Sequence, residues 1–214
     1  MNNRKVGFYL HTSWEFNYPF AVRLWRREDF ARWGELMRRL DMNLLMLWPL
    51  CEAMPAPLSD DDANALRDWR DIVADARAQG LELWLTQCAN CTTRPEIAAR
   101  TFKSRHFYPF RIDVDLTDET AREQYFAHRA AMMQILDNAD GWVTIDGDPG
   151  NYPAAQPREF LEVLGRDRAT LDALGRKDAS LVPWLWAGWG HDWKKKRRVE
   201  RTTRTSDRAG SRWN

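Results

Sequence analysis

The chain has 214 residues, 44% of them hydrophobic, which is enough for one domain with a sizeable core and excludes a disordered protein. The formal net charge is +1, but residues 194–214 hold nine Lys and Arg against two acidic residues and carry +7, which leaves −6 on residues 1–193. A mildly acidic body argues against nucleic acid as the main partner, because phosphate binding requires a basic surface.

The ends and cysteines of the chain bear on its location. The N-terminal apolar run is too short for a signal peptide, and no apolar stretch is long enough to span a membrane. Three cysteines, an odd number, do not make a disulfide framework and favour a reducing compartment. We therefore expect a cytoplasmic protein without a membrane partner. Twelve tryptophans are the compositional outlier.

Short apolar runs alternate with amphipathic helices along the first half of the chain. The patterns predict a strand over 5–10, a helix over 27–40, a strand over 43–48, a helix over 60–79 and a strand over 81–85. The glycine that follows the second helix, Gly80, is typical of a helix C-terminus.

The second half of the chain begins with a segment in which hydrophobic residues show no sustained helix or strand periodicity. We interpret residues 87–117 as an extended loop, and long loops in compact domains are usually functional. Thr117 is the predicted N-cap of a helix that runs to about Leu136. A strand over 142–145, a helix over about 157–174 and a strand over 181–186 complete the pattern.

Five strands thus alternate with four helices, which is typical of a parallel sheet covered by helices. A doubly wound open sheet would usually carry a glycine-rich phosphate loop after its first strand, and the segment HTSWEFN does not resemble one. A TIM-type (β/α)8 barrel needs no such loop and places its ligand residues at the carboxyl ends of the strands. The sequence therefore predicts an α/β fold, an incomplete (β/α)8 TIM-type barrel with about five parallel strands.

The pattern stops before eight strands are reached. We expect residues 1–193 to form the partial barrel and residues 194–214 to be a basic disordered tail. The abrupt change at Trp193 favours a truncated or frame-shifted reading, whereas the basic run 194–198 alone would also fit nuclear targeting. An open sheet has unpaired edges, so we also expect self-association through them.

The densest candidate for chemistry is the pair Asp146 and Asp148 after the fourth predicted strand. Residues two apart on a strand point to the same face, so both carboxylates could face the barrel mouth. Neighbouring carboxylates titrate unequally, which would supply the acid and the anion that glycosidic cleavage requires. Alternatively, these aspartates hold a polar turn.

Other polar and aromatic side chains follow the predicted strands and could contact a carbohydrate substrate. Flat aromatic faces suit the C–H faces of sugar rings, although barrel interiors also use bulky residues as core. By contrast, Trp25, Trp33 and Trp69 lie on or before helices and are predicted to be core. The candidate substrate-binding residues are His11, Trp14, Trp48, Glu52, Asn90, Tyr152, Trp186 and Trp189.

The cysteines give only a weak indication of metal binding. Cys88 and Cys91 form one CxxC segment, and Cys51 follows the neighbouring strand. A structural zinc site requires a fourth ligand, which only His11 or His106 could supply. We therefore predict no metal and no cofactor.

Three segments carry a resemblance to a known family. RREDFARWGELMRRLDMNLLMLWPLCEAMPAP, GLELWLTQCAN and DGWVTIDGDPGNYP, in this order, resemble the catalytic barrel of glycoside hydrolases related to family 20, the β-N-acetylhexosaminidase group. The resemblance covers residues 5–190. The family's usual strand-four motif ends in Asp-Glu, whereas this chain has Asp-Gly-Asp-Pro.

The resemblance implies a glycosidase that cleaves amino sugars through attack by the substrate's own acetamido group. Asp148 would then be the proton donor, and Asp146 would be the anion that orients or stabilises the reacting group. The alternative is a non-catalytic carbohydrate-binding barrel or an inactive truncated fragment.

Overall fold

A computed structural model describes residues 4–12, 22–89, 91–105, 111–146 and 157–185. Several residues singled out in the sequence lie outside these ranges. They are Trp14, Asn90, His106, Asp148, Tyr152, Trp186, Trp189 and the basic tail 194–214.

Seven strands and four α-helices follow one another in the described part of the chain. The strands are β1 (Gly7–His11), β2 (Leu44–Trp48), β3 (Glu82–Cys88), β4 (Cys91–Thr93), β5 (Arg111–Asp113), β6 (Gly141–Ile145) and β7 (Ser180–Trp184). The helices are α1 (Arg27–Arg39), α2 (Asp60–Ala78), α3 (Glu119–Ile135) and α4 (Pro157–Ala173). Five of the strands form one parallel sheet in the order β1-β2-β3-β6-β7. The predicted α/β fold with five parallel strands and four helices is confirmed.

The helices cover one face of this sheet. Leu47, Leu85 and Trp142 lie side by side in the strand register, all fully buried, and belong to the core that the helices complete. The helical spacing of Leu66, Trp69, Ile72, Val73 and Ala76 predicts that they form the inner face of α2, and all five are buried. On α1 the pattern ends earlier than predicted. Leu40 is 53% exposed because the helix stops at Arg39.

The opposite face of the sheet is concave. Tyr9 on β1 and Trp184 on β7 lie on the two outermost strands, yet their ring centroids are 5.1 Å apart. In a flat sheet these strands would be about 19 Å apart, at about 4.8 Å per neighbour, which is too far for ring contact. The sheet therefore curls as a barrel wall does. Gly141 leaves room on this face, where a Cβ atom would come within 2.8 Å of the Trp84 indole.

The segment predicted to be an extended loop contains more structure than its sequence pattern showed. β3 extends to Cys88, β4 and β5 form an antiparallel pair, and two short 3-10 helices span Pro95–Ala99 and Phe102–Ser104. The guanidinium of Arg105 organises this segment. It donates to the backbone carbonyls of Ala98 and Arg100 at 3.2 and 3.1 Å.

Two helix ends test the predicted caps. Gly80 has a φ of +78°, as expected for a glycine after a helix C-terminus. The N-cap of α3 is Asp118 and not Thr117, because the Asp118 carboxylate accepts the backbone N–H of Ala121 at 3.0 Å. Thr117 instead donates its own N–H and hydroxyl to Asp115.

None of the helices in the described ranges is both long enough and apolar enough to cross a lipid bilayer.

Candidate active site

The carboxyl ends of the five parallel strands meet at one edge of the sheet, which we call the mouth. Four of the predicted site residues lie within the described part of this edge: His11 ends β1, Trp48 ends β2, Glu52 follows β2 and Asp146 follows β6. In a (β/α) barrel this is the edge that holds the ligand residues. The structure thus brings these four residues to the same side of the fold.

An aromatic wall lines the concave face at the mouth. It consists of Tyr9, His11 and Trp184, all half-buried. Tyr9 lies 5.8 Å from the His11 ring and 5.1 Å from the Trp184 ring, in edge-to-face contacts. Tyr9 was not singled out in the sequence, although it is two residues before His11 on a strand and therefore shares its face. All three rings therefore lie at the edge where a (β/α) barrel holds its ligand residues.

Trp48 lies beneath this wall. It is fully buried and packs edge-to-face against His11, with ring centroids 4.5 Å apart. The hydroxyl of Thr12, which follows β1, donates to the Trp48 carbonyl and ties the ends of β1 and β2 together. Trp48 therefore supports His11 from below.

Glu52 is also buried, with 4% of its surface exposed. One carboxylate oxygen accepts the Trp48 indole N–H at 3.0 Å, and the other accepts the backbone N–H of Cys88 at the end of β3. Both oxygens therefore contact protein donors. Glu52 fixes Trp48 and links the ends of β2 and β3.

Burial raises the pKa of Glu52, and the hydrogen bonds from Cys88 and Trp48 only partly oppose this effect. A carboxyl whose pKa is higher in the folded state binds more protons there than in the unfolded chain. Its contribution to stability is therefore complete below the ordinary pKa of about 4.3 and declines as the pH rises through the higher folded value.

We expect the Glu52→Gln variant to lack this part of the pH dependence. It should also lose about 1–3 kcal/mol of stability, because an amide offers one acceptor oxygen where the carboxylate offers two. Urea unfolding between pH 4 and pH 8 measures both effects, with the exposed Glu96→Gln as control. Parallel pH profiles of wild type and Glu52→Gln would contradict the expectation.

A buried ion pair lies under the ends of β3 and β6. Arg129 on α3 and Asp167 on α4 are 3% and 2% exposed and form two hydrogen bonds of 2.6 and 2.8 Å. Arg129 also donates to the Cys88 carbonyl at 2.7 Å, and Asp167 accepts the Thr144 hydroxyl of β6 at 2.9 Å. The Cys88 peptide is thus held by Glu52 on one side and by Arg129 on the other. Sequence reasoning missed this pair, whose only signal was a charge on the inner face of each helix.

Asp146 is half-buried directly after β6. Its backbone N–H donates to the Trp184 carbonyl at 3.0 Å, which joins the backbone after β6 to the last residue of β7. Its predicted partner Asp148 lies outside the described residues.

The three cysteines are free and buried. Burial raises the pKa of the Cys51 thiol, which disfavours the thiolate that metal binding or redox chemistry needs. Within the described ranges, no group of three or more His, Cys, Asp or Glu could hold a metal ion.

Comparison with known proteins identifies the fold. No protein-family model and no curated protein sequence matches the chain. Solved structures do match. Amy13B of Eubacterium rectale has a TM-score of 0.53 at 15% identity, over 86% of this chain and 43% of that one. A glycoside hydrolase family 20 β-N-acetylglucosaminidase has a TM-score of 0.52 at 12% identity, over 82% and 42%.

A third match is the endo-1,4-β-D-mannanase of Thermotoga petrophila, with a TM-score of 0.51 at 12% identity, over 84% of this chain and 55% of that one. The chain thus spans about half of these proteins or less. At such low identities the likeness shows the fold alone, which is that of TIM-barrel glycoside hydrolases. Family 20 is one of several such groups and is not singled out.

Proposed function

We propose that this chain is a glycoside hydrolase-like domain that acts on glycosidic bonds of sugars. The observation that carries the proposal is the aromatic wall of Tyr9, His11 and Trp184 at the edge of the sheet where barrels bind ligands, the edge at which Asp146 follows β6. Such a site offers flat faces for the C–H surface of a pyranose and a carboxylate for its reacting end. The diverse glycoside hydrolases that share the fold support this choice of substrate class.

In this proposal the two strand-end aspartates carry the chemistry. Asp148 protonates the oxygen of the leaving group, and the Asp146 carboxylate stabilises positive charge that develops on the sugar. This mechanism requires a protonated Asp148 next to an ionised Asp146. Two neighbouring carboxyl groups favour this state, because ionisation of one disfavours ionisation of the other. Water supplies the hydroxyl that replaces the leaving group on the anomeric carbon, so each turnover hydrolyses one glycosidic bond.

The remaining candidate residues serve binding and support. His11 contacts the substrate together with Trp14, Asn90, Tyr152, Trp186 and Trp189. Trp48 and Glu52 act through His11 and the end of β3, because their contacts are to protein. The resemblance of the strand-end motifs to family 20 predicts an N-acetylated amino sugar, whose acetamido oxygen would attack the anomeric carbon while Asp146 orients the amide.

An alternative is a carbohydrate-binding barrel without turnover. The observation that favours it is the open sheet, since β1 and β7 do not pair with each other in the described part of the chain. In this alternative the aromatic wall binds sugar, and the aspartates hold the turn after β6.

Replacing each aspartate tests the proposal. We expect Asp146→Asn and Asp148→Asn each to reduce hydrolysis of 4-nitrophenyl glycosides by about 10²–10⁴-fold, because each removes one half of the acid–anion pair. The panel includes the N-acetyl-β-glucosaminide, the α-glucoside and the β-mannoside. The matched control is Asp41→Asn at an exposed turn, where Asn also tolerates the φ of +55°.

Two outcomes would contradict hydrolysis. Unchanged turnover in both variants would remove the aspartates from the mechanism. Sugar binding without turnover of any glycoside in the wild type would favour the carbohydrate-binding alternative.

A further inference from the structure

A cavity of about 340 Å³ lies on the helix side of the sheet, next to the mouth. It is enclosed by the start of α1, the middle of α2 and the short 3-10 helix at Phe102–Ser104. Thr12 and Leu50, which follow β1 and β2, form the wall that it shares with the mouth. Its volume falls within the range of about 300–1,000 Å³ that is usual for small-molecule sites.

The floor of this cavity is aromatic. Phe30, Trp69 and Phe102 are 6–7% exposed, and Trp25 stands half-buried as a side wall. Trp25 and Phe30 have ring centroids 5.3 Å apart, and Phe30 and Trp69 have centroids 5.5 Å apart. Trp25 and Trp69, which their positions in the sequence assigned to the core, therefore also present surface to a cavity.

The rim carries charges of both signs. Arg27 is held by Asp71 at 2.8 Å and by Asp75, so its guanidinium is occupied. Four further rim residues, Arg26, Glu28, Asp68 and Lys103, are exposed and form no ion pair with any residue in the described ranges. Two carboxylates, one guanidinium and one ammonium group thus remain for a ligand.

From this combination we propose that the cavity binds a neutral pyranose ring, as a sugar site separate from the catalytic mouth. The ring's C–H face stacks on Trp25 over the aromatic floor. Its hydroxyls donate to Glu28 and Asp68 and accept from Lys103. An anionic ligand would meet the two carboxylates, and a cationic one would meet Lys103 and the rim arginines, so the mixed rim favours an uncharged polyol.

The proposal that this cavity binds sugar rests on the proposed function, from which it takes the ligand class, and it adds a second binding site. Thr12 lines the cavity and bonds the Trp48 carbonyl under the aromatic wall, so the two sites are separated by the ends of β1 and β2 only. A monosaccharide can therefore fill the two sites independently.

Tryptophan indole resonances of the full chain, labelled with ¹⁵N, report the two sites separately. We expect titration with maltose or N-acetylglucosamine to shift the indole N–H signals of Trp25 and Trp69. Glu28→Ala and Asp68→Ala should each weaken this binding about tenfold, because each removes hydrogen bonds to a charged acceptor. Glu35→Ala, on the exposed side of α1 away from the cavity, is the control and should leave the affinity unchanged.

Each outcome decides between the sites. Shifts confined to Trp184 and the mouth overturn the cavity proposal and leave the proposed function intact. Shifts of Trp25 and Trp69 that the rim variants weaken, in a protein without glycosidase turnover, support the cavity and contradict hydrolysis. Equal affinity in wild type, Glu28→Ala and Asp68→Ala, or binding of benzoate in preference to both sugars, overturns the cavity proposal.

Discussion

Replacement of Arg105 by Met is expected to lower the free energy of unfolding by about 3–5 kcal/mol. The guanidinium of Arg105 and the carboxylate of Asp62 form an ion pair, and both side chains are fully buried. Methionine would fill much of the same volume but would leave the Asp62 charge without its partner. The Ala53 carbonyl, which accepts from Arg105 at 3.0 Å, would also lose its donor.

The effect should reach beyond the ion pair, because Asp62 belongs to the capping box of α2. Its second oxygen accepts the backbone N–H of Ser59 at 3.2 Å, and the Ser59 hydroxyl accepts the N–H of Asp62 at 3.2 Å. An unpaired Asp62 would be drawn toward water and would weaken this cap, which alone contributes about 1 kcal/mol. Arg105 thus joins the segment between β4 and β5 to the start of α2.

Urea unfolding followed by circular dichroism measures the loss. The control is Arg27→Met, which removes a solvent-exposed arginine from its pairs with Asp71 and Asp75 and should change the free energy of unfolding far less. A double variant, Arg105→Met with Asp62→Asn, should be less destabilised than Arg105→Met because no charge stays buried. A cost for Arg105→Met no larger than that of Arg27→Met would contradict the argument.

The sheet and its helices could be predicted from the sequence because burial leaves a local pattern. The run at Leu44–Trp48 is apolar throughout, as a strand covered on both faces must be, and every α2 residue assigned to the core is buried. Because such a strand shows no alternation of polar and apolar residues, the sequence does not indicate which face of the sheet each residue occupies. Tyr9 and the curvature that brings it to Trp184 therefore became visible only in the structure.

The site was less predictable because its geometry depends on partners far apart in sequence. Position at a strand end indicated that Trp48 could meet a ligand, but the carboxylate of Glu52 and the ring of His11 hold it beneath the surface. Arg105 and Arg129 look like solvated charges in a loop and on a helix. Their buried partners, Asp62 and Asp167, lie 43 and 38 residues away, a separation that no local periodicity encodes.

Replacement of Arg129 by Met is the second change for which we expect a loss of about 3–5 kcal/mol in unfolding free energy. It leaves Asp167 buried with only neutral donors, of which the Thr144 hydroxyl at 2.9 Å is the nearer. It also removes the donor to the Cys88 carbonyl and a positive charge whose field lowers the pKa of Glu52. In the variant, that pKa should therefore rise further above its ordinary value.

The field of Arg129 gives this variant a second readout. Urea unfolding at several pH values should show stability that declines with rising pH over a higher range than in wild type, because Glu52 stays protonated longer in the folded state. Arg166→Met is the matched control on α4, since its guanidinium is exposed and pairs with Glu123 at the surface. A loss as small as that of Arg166→Met would show that the ion pair does not hold β3 and β6 together. An unchanged pH profile would show that the charge of Arg129 does not lower the pKa of Glu52.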